Sequence, residues 1–142
     1  MIEEEENWVK LERDLRQIEL FLDQRTRRYL ISKGISNARF MLLVEVYFNP
    51  GLSLTELYEK MCVTLSTVSN LTDQLVIRGL LSRERRSDDR RVIELNLTQE
   101  GHDLLEDILK YRYGLIRNIL EVMPTRSVNS LVKIVEEFVS HV

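Results

Sequence analysis

The sequence has little of what several protein classes depend on: it contains one cysteine, two prolines and five glycines in 142 residues. A single cysteine cannot close an internal disulfide, which excludes a disulfide-stabilised scaffold and favours a reducing compartment. So few prolines and glycines leave little room for flexible linkers or low-complexity segments. The longest apolar run, from Phe40 to Phe48, is interrupted by Glu45 and is too short to span a membrane.

Signals for export and for catalysis are lacking as well. Residues Met1 to Glu6 are mostly acidic, where a signal peptide would be basic and then apolar, so we expect a cytoplasmic protein with no membrane partner. The sequence contains no nucleophile motif, phosphate-binding glycine loop or zinc-protease pattern. Its two histidines are far apart and have no further metal ligands at suitable spacing. We therefore expect no enzyme, no metal and no cofactor, and we interpret Cys62 as a bystander thiol.

The composition suits one globular domain, since 44% of the residues are apolar and 30% are charged. A net charge of -3 argues weakly against a nucleic-acid binder. The distribution of that charge argues the other way. Residues 78–91 contain six arginines and three acids, a local charge of +3, which leaves -6 for the remainder.

Amphipathic helices are predicted at both ends of the chain. Near the N-terminus, apolar residues recur three and four positions apart, which predicts a helix of roughly 25 residues ending at Gly34. They are Trp8, Leu11, Leu15, Ile18 and Leu22. Near the C-terminus, a helix capped by Thr98 continues to Pro124, and the same spacing then predicts a last helix. Its apolar residues are Val128, Leu131, Val135, Phe138 and Val142.

The middle of the chain predicts three shorter helices. The first runs from about Asn37 to Phe48, with Ser36 as its N-cap. Its predicted buried stripe is Phe40, Leu43, Val44 and Tyr47. The segment Ser53-Leu54-Thr55-Glu56 fits a capping box and begins a second helix that ends at Met61. Thr64 caps a third helix, from Leu65 to Arg78, which Gly79 ends.

After Gly79 the apolar period changes from about 3.6 to 2. Alternation over Leu81 to Arg85, and again over Val92 to Leu97, predicts a β-hairpin with a polar turn at residues 86–90. Two short helices joined by a tight turn and followed by a hairpin form a winged helix. In such a unit the second helix enters the DNA major groove and the hairpin, called the wing, reaches an adjacent minor groove.

The helix from Leu65 to Arg78 is expected to face the core with Val68, Leu71 and Leu75. Its other side carries short hydroxyl, carboxylate and amide groups, namely Ser66, Thr67, Ser69, Asn70, Asp73 and Gln74. Hydroxyls and amides can contact phosphates and base edges, and asparagine or glutamine can bind adenine through two hydrogen bonds. The alternative is an ordinary solvent-exposed face.

The wing strengthens the DNA interpretation. Arg90 and Arg91 follow Asp88 and Asp89 at its tip, so an aspartate can hold a guanidinium ready to enter a groove. Arg85 and Arg86 are expected to contact the DNA backbone. A surface turn that neutralises its own charge is the alternative.

These segments resemble the MarR-type winged-helix transcriptional regulators, in length and element order over nearly the whole chain. The resemblance is sharpest over Leu52-Ser53-Leu54-Thr55-Glu56-Leu57, over Val63-Thr64-Leu65-Ser66-Thr67-Val68-Ser69 and over Gly79-Leu80-Leu81. It continues through Asp88-Asp89-Arg90-Arg91 to Leu97-Thr98-Gln99-Glu100-Gly101.

The resemblance implies a homodimer in which the first and last helices interlock, so that two winged helices bind a pseudo-palindromic operator in double-stranded DNA. It makes Leu65 to Arg78 the recognition helix. The family's Asp-x-Arg wing motif maps onto Asp89 and Arg91, with Arg91 in the minor groove and Asp89 orienting it. Because the family includes repressors released by small ligands or oxidants, the resemblance also allows a small-molecule effector.

One departure from the family pattern concerns the recognition helix. Many members carry a basic residue where Asn70 stands, and often another at Gln74. Here Arg78 and Asp73 leave the helix with no net charge. We therefore expect weaker binding that depends more on the wing arginines and on helix N-termini.

The expected fold class is mainly α with a small β-hairpin wing, a winged helix-turn-helix with long N- and C-terminal dimerisation helices. Residues 1–34 form the N-terminal dimerisation helix, 35–98 the DNA-binding region and 99–142 the C-terminal dimerisation helices, in one intertwined domain. We expect a sequence-specific DNA-binding regulator, a homodimeric repressor. Its predicted DNA-binding residues are Ser66, Thr67, Ser69, Asn70, Gln74, Arg85, Arg86, Asp89, Arg90 and Arg91. The uncharged recognition helix motivates an alternative, a protein-interaction module with little DNA affinity.

Overall fold

The computed structural model describes residues 2–142, so Met1, the first residue of the predicted N-terminal segment 1–34, lies outside the described residues. Six helices and three strands occupy this range. The helices are α1 (Ile2–Ser32), α2 (Asn37–Phe48), α3 (Leu54–Met61), α4 (Leu65–Ile77), α5 (Gln99–Leu120) and α6 (Thr125–Ser140). The strands are β1 (Leu52–Ser53), β2 (Leu81–Arg85) and β3 (Ile93–Leu97). This mainly helical winged-helix architecture confirms the predicted fold class.

Side-chain caps begin α2 and α3 of the winged-helix region at the residues that the sequence predicts. The Ser36 hydroxyl accepts a hydrogen bond from the Arg39 backbone N–H at 3.3 Å, a cap of a kind that contributes about 1 kcal/mol of stability. At the start of α3 the Ser53 hydroxyl accepts from the Glu56 N–H at 3.2 Å. The Glu56 carboxylate in turn accepts from the Ser53 N–H at 2.8 Å, which completes the capping box. The hydrogen bonds from Ser53 hold the pKa of Glu56 below its usual value.

The first helix is longer than predicted, because α1 begins at Ile2 rather than near Trp8. Glu3–Glu5 occupy its first turn, where acidic side chains interact favourably with the helix dipole, so the helix extends upstream of its apolar stripe. The predicted end is confirmed, since Gly34 follows with φ +67°, a left-handed conformation that favours glycine. Much of the apolar stripe is exposed in the single chain: Trp8, Leu11, Leu15 and Ile18.

The hydrophobic core is built around α2. Its buried side chains are Phe40, Leu42, Leu43 and Val46. The helix is buried on more than one side because it packs against α3, α4 and β3. The predicted stripe is therefore only partly right, since Phe40 and Leu43 are buried but Val44 and Tyr47 are half-buried.

The hairpin of β2 and β3 is confirmed, and a third strand that was not predicted joins it. The antiparallel order is β1-β3-β2, with Leu52 opposite Leu95 and Leu81 opposite Leu97. β1 has two residues, too few for an alternating pattern, and its Ser53 is also the N-cap of α3. This short strand joins the turn after α2 to the returning strand of the wing.

The chain divides into two compact units, one ending at Leu109 and one beginning at Lys110. Within the first unit, Asp107 accepts a hydrogen bond from the Tyr29 hydroxyl at 2.8 Å and pairs with the Lys33 ammonium at 2.7 Å. Hydrogen bonding to Asp107 raises the pKa of both Tyr29 and Lys33. The end of α1 is thereby held against the first half of α5.

The second unit differs from the sequence prediction at its boundaries. α5 ends at Leu120 rather than at Pro124, and α6 begins directly after that proline. α6 ends at Ser140, so Val142 lies beyond the helix whose stripe it was expected to extend. No residue of α6 is buried in the single chain. Among residues 2–142, no helix combines the length and apolarity needed to cross a membrane.

Candidate nucleic-acid interface

The recognition helix α4 separates a buried side from a polar side. Val68 and Leu75 are buried as predicted, whereas Leu71 is half-buried. Thr72 is also buried, and its hydroxyl donates to the Val68 carbonyl at 2.7 Å, which lets a polar side chain enter the core. The predicted contact residues lie outside this core: Ser66, Thr67 and Asn70 are exposed, and Ser69 and Gln74 are half-buried.

Three hydroxyl groups cluster at the N-terminus of α4. Thr64 is the N-cap, since its Oγ1 accepts from the Thr67 backbone N–H at 3.2 Å. The same oxygen lies 3.1 Å from Ser66 Oγ and 2.7 Å from Thr67 Oγ1. Hydroxyl donors at the positive end of a helix dipole favour a phosphate oxygen. This end of α4 is therefore suited to hold the helix on a nucleic-acid backbone.

A chain of side-chain hydrogen bonds links α2 to the polar face of α4. The guanidinium of Arg39 donates to Gln74 Oε1 through Nε, at 2.9 Å, and through Nη2. Gln74 Nε2 then donates to Asn70 Oδ1 at 3.1 Å. Sequence reasoning missed Arg39, because nothing in the local pattern of α2 shows which residue 35 positions away it will meet.

The recognition helix α4 carries one charged side chain, that of Asp73, and arginines from its surroundings accompany it. Asp73, its one acidic residue, forms an ion pair with Arg83 of β2. Arg78, directly after the helix, donates to the Gly34 carbonyl at 2.9 Å. Because Arg83 offsets Asp73 and Arg39 adds a further cation, the surface around α4 is more positive than the sequence of the helix alone indicates.

The wing tip presents one arginine that is both exposed and oriented. The Arg91 side chain is 91% exposed. Asp89 Oδ1 nevertheless accepts from the Arg91 backbone N–H and from its Nε, both at 3.1 Å, and Oδ2 accepts from Nη2 at 3.4 Å. These bonds hold the pKa of Asp89 below its usual value, so the carboxylate stays charged. The predicted Asp89–Arg91 pair is therefore present, while its groove-binding role stays a prediction.

The other wing arginines differ in how far the fold engages them. Arg86 lies against the rest of the winged-helix region. Its Nε is 3.4 Å from Glu94 Oε2, and its Nη2 donates to the Gly51 carbonyl at 3.3 Å. Arg85 is exposed and donates to the Arg90 carbonyl at 3.4 Å. A phosphate contact by Arg86 would thus compete with its bonds inside the fold, whereas Arg85 and Arg90 face solvent.

Cys62 ends α3 within the helix-turn-helix. It adopts φ +52°, a left-handed conformation that is uncommon for residues other than glycine, and its side chain is exposed. Its Sγ lies 4.0 Å from the Glu59 carbonyl oxygen. The residue thus shapes the turn between α3 and the recognition helix.

A family model, solved structures and curated relatives all point to winged-helix transcriptional regulators. Residues 35–93 match the model of the MarR family. The chain resembles the structure of a MarR family protein from Bacillus stearothermophilus with a TM-score of 0.89 and 26% identity, covering 96% of each chain. It is 28% identical over 116 residues to the HTH-type transcriptional regulator YsmB of Bacillus subtilis (strain 168), covering 82% of this chain and 80% of YsmB.

A second relative from Bacillus subtilis (strain 168) is the HTH-type transcriptional repressor YetL, 33% identical over 95 residues. That match covers 66% of this chain and 57% of YetL, so this chain spans little more than half the length of that relative. The named relatives are regulators and repressors, in agreement with the expectation that the protein is no enzyme. Residues 35–93 thus form a MarR-type winged-helix region, and with its wing and terminal helices the chain resembles a MarR family protein over nearly its whole length.

Proposed function

We propose that the protein is a homodimeric repressor that binds a pseudo-palindromic operator in double-stranded DNA. The observation that carries this proposal is the wing tip, where an almost fully exposed Arg91 is held by three hydrogen bonds to Asp89. Those bonds anchor the arginine to nothing beyond its own turn, so they stabilise no other part of the fold. An exposed guanidinium with a fixed direction suits insertion into a minor groove, where negative potential attracts it.

In this proposal the wing and the recognition helix have different tasks. The hydroxyls of Ser66 and Thr67 hold the N-terminus of α4 on the phosphate backbone, and Ser69, Asn70 and Gln74 face the major groove. Arg91 enters the minor groove, and Asp89 orients it. Arg85 and Arg90 attract the flanking phosphates, and Arg86 joins them only by giving up its bonds to Glu94 and Gly51.

Dimerisation is proposed from the apolar surface that one chain leaves exposed. α6 exposes Leu131, Val132, Ile134, Val135, Phe138 and Val139, and α1 exposes the stripe that begins at Trp8. On each helix separately, so many exposed large apolar side chains mark an interaction surface. A two-fold dimer covers it and brings two winged helices to half-sites one helical turn apart.

Three finer points of the proposal rest on the resemblance to MarR-type regulators. A repressor role follows the name of YetL, a relative that represses transcription. A cytoplasmic location follows from a function on DNA. A small-molecule effector is proposed as a partner because MarR-type repressors are commonly released by such ligands.

A second candidate function is a protein-interaction module that has kept the winged helix and lost DNA affinity. The lack of any basic residue in α4 favours it, because recognition helices usually supply positive charge. Arg39 and Arg83 next to α4 weaken this alternative, because they restore positive charge to its surroundings.

The test is selection of bound sequences from a random pool of duplex DNA with the full chain at low salt. The proposal predicts enrichment of a sequence with two inverted half-sites whose centres lie about 10 base pairs apart, or a multiple of that spacing. Failure to enrich any sequence, together with no binding of random duplex, would favour the interaction module.

A further inference from the structure

The hydrogen-bond chain from Arg39 to Asn70 has one chemically permitted direction. A guanidinium carries donors only, so the atom of Gln74 that faces Arg39 must be the amide oxygen. The amide nitrogen of Gln74 therefore points the other way, toward Asn70. The atom of Asn70 that meets this donor must in turn be its oxygen, Oδ1.

The remaining group of Asn70 is its donor, Nδ2. Asn70 is exposed on the polar face of α4, and within residues 2–142 no acceptor is bonded to Nδ2. Arg39 is half-buried, and its own backbone N–H is fixed by the Ser36 cap. The first member of this series of hydrogen bonds is therefore anchored in α2. One arginine outside the recognition helix thereby determines which hydrogen-bonding group that helix presents.

We propose that Arg39 is a specificity-determining positioning residue, which acts through Gln74 to make Asn70 present its donor, Nδ2, to one base pair in each half-site. This inference rests on the proposed DNA-binding function and adds a preference to it. It also disfavours the contact by which an asparagine binds adenine through two hydrogen bonds, because that contact needs Oδ1 to face the base and Oδ1 already accepts from Gln74.

The expected base follows from the major-groove edges. Guanine offers two acceptors, N7 and O6, to the two hydrogens of Nδ2, whereas adenine offers N7 beside a donor amino group that Nδ2 cannot satisfy. We expect guanine to be preferred over adenine at this position by about tenfold, the low end of the discrimination typical of a good base contact.

The experiment compares selection from the random duplex pool by the wild-type chain, Arg39→Ala and Arg39→Lys. Arg39→Ala allows the side-chain amides of Gln74 and Asn70 to rotate by about 180°. The preference for guanine over adenine at one position of each half-site should then fall about tenfold, toward equal use of the two bases. Arg39→Lys should retain the preference, because an ammonium is also donor-only. Unchanged base preference in Arg39→Ala, with affinity lowered uniformly, would overturn the inference and leave Arg39 as a general cation.

Gln74→Glu should reverse the base preference and thus provides an independent test. A carboxylate still accepts from Arg39 but cannot donate to Asn70, so Asn70 should turn its Nδ2 toward Glu and its Oδ1 toward the DNA. The preferred base should then be one with an amino donor, cytosine or adenine. Arg78→Ala is the matched control, since it removes a cation beside α4 without touching the amides, and should lower affinity with no change of base preference.

A measurement without DNA separates failure of this inference from failure of the proposed function. The side-chain amide protons of Gln74 should exchange slowly by NMR in the wild type and in Arg39→Lys, and rapidly in Arg39→Ala. Equal exchange in all three proteins would refute the positioning role even where Arg39→Ala binds DNA too weakly for selection. A wild-type chain that selects no sequence refutes the proposed function, and with it the preference, whatever the exchange rates.

Discussion

Replacing Gly101 with alanine should destabilise the junction between the wing and α5. A Cβ atom at this position would lie 2.1 Å from the Leu80 carbonyl oxygen and 3.1 Å from its carbon. Since such contacts are essentially never closer than 3.0 Å, the start of α5 must move by about 0.9 Å relative to Leu80. Both neighbours are backbone atoms, so no side chain can rotate away to make room.

The movement would also disturb the cap of α5. Leu80 O accepts from the Thr98 backbone N–H at 3.1 Å, and the Thr98 hydroxyl accepts from the Gly101 N–H at 3.0 Å. The same hydroxyl donates to the Gly79 carbonyl at 2.5 Å. Overpacking costs about 1–3 kcal/mol. Loss of an N-cap costs about 1 kcal/mol more, so we expect a total of about 2–4 kcal/mol.

Urea unfolding followed by circular dichroism measures this loss. At one protein concentration, Gly101→Ala should lower the unfolding midpoint by about 1–2 M. Gly114→Ala in the same helix is the matched control, because its Cβ would meet nothing within 4 Å in the chain. It should leave the midpoint unchanged or raise the free energy of unfolding by up to about 1 kcal/mol. Equal midpoints for Gly101→Ala and wild type would refute the argument.

Two further predictions concern the capping box and the dimer. Because the folded-state pKa of Glu56 is lowered, its carboxylate contributes stability above the unfolded-state pKa and loses it as pH falls through the folded-state pKa. The free energy of unfolding of wild type should thus exceed that of Glu56→Gln at pH 7, and the difference should shrink at pH 3 or lower; a constant difference would contradict this. Phe138→Asp on the exposed apolar face of α6 should halve the mass measured by light scattering from that of a dimer to that of the 16.8 kDa chain, without unfolding it. Lys133→Asp, a charge change on the same helix, should remain dimeric, and a dimeric Phe138→Asp would exclude this face as the interface.

Much of the fold could be predicted because its signals are local. The Ser53–Glu56 capping box and the Thr64 cap each lie within four residues and set helix starts without help from the rest of the chain. Gly79, at φ +72°, likewise marks the end of the recognition helix. β1 escaped prediction because two residues carry no period, and its pairing with β3 is a long-range contact.

The sequence predicts which residues make up the candidate site, but it does not predict which of them form hydrogen bonds with residues distant in sequence. The pair of Asp89 and Arg91 is visible in the sequence because the two residues are two positions apart on a tight turn. The bond from Arg39 to Gln74 depends on how α2 packs against α4, which helical spacing does not specify. Arg86 shows the same limit, because only the position of Gly51 beside the wing explains why it lies against the fold.

The most direct test of DNA binding through the wing is a salt titration of operator affinity by fluorescence anisotropy. If a dimer neutralises about six phosphates, log affinity should fall with log salt at a slope of about -5. Arg91→Ala should weaken binding by about 1–3 kcal/mol per half-site and make the salt slope shallower by about 1 per chain. Arg27→Ala is the control, because it breaks a comparable exposed ion pair with Asp23; it should change neither the affinity nor the slope. Binding that ignores salt, or an Arg91→Ala protein that binds like wild type, would contradict the account.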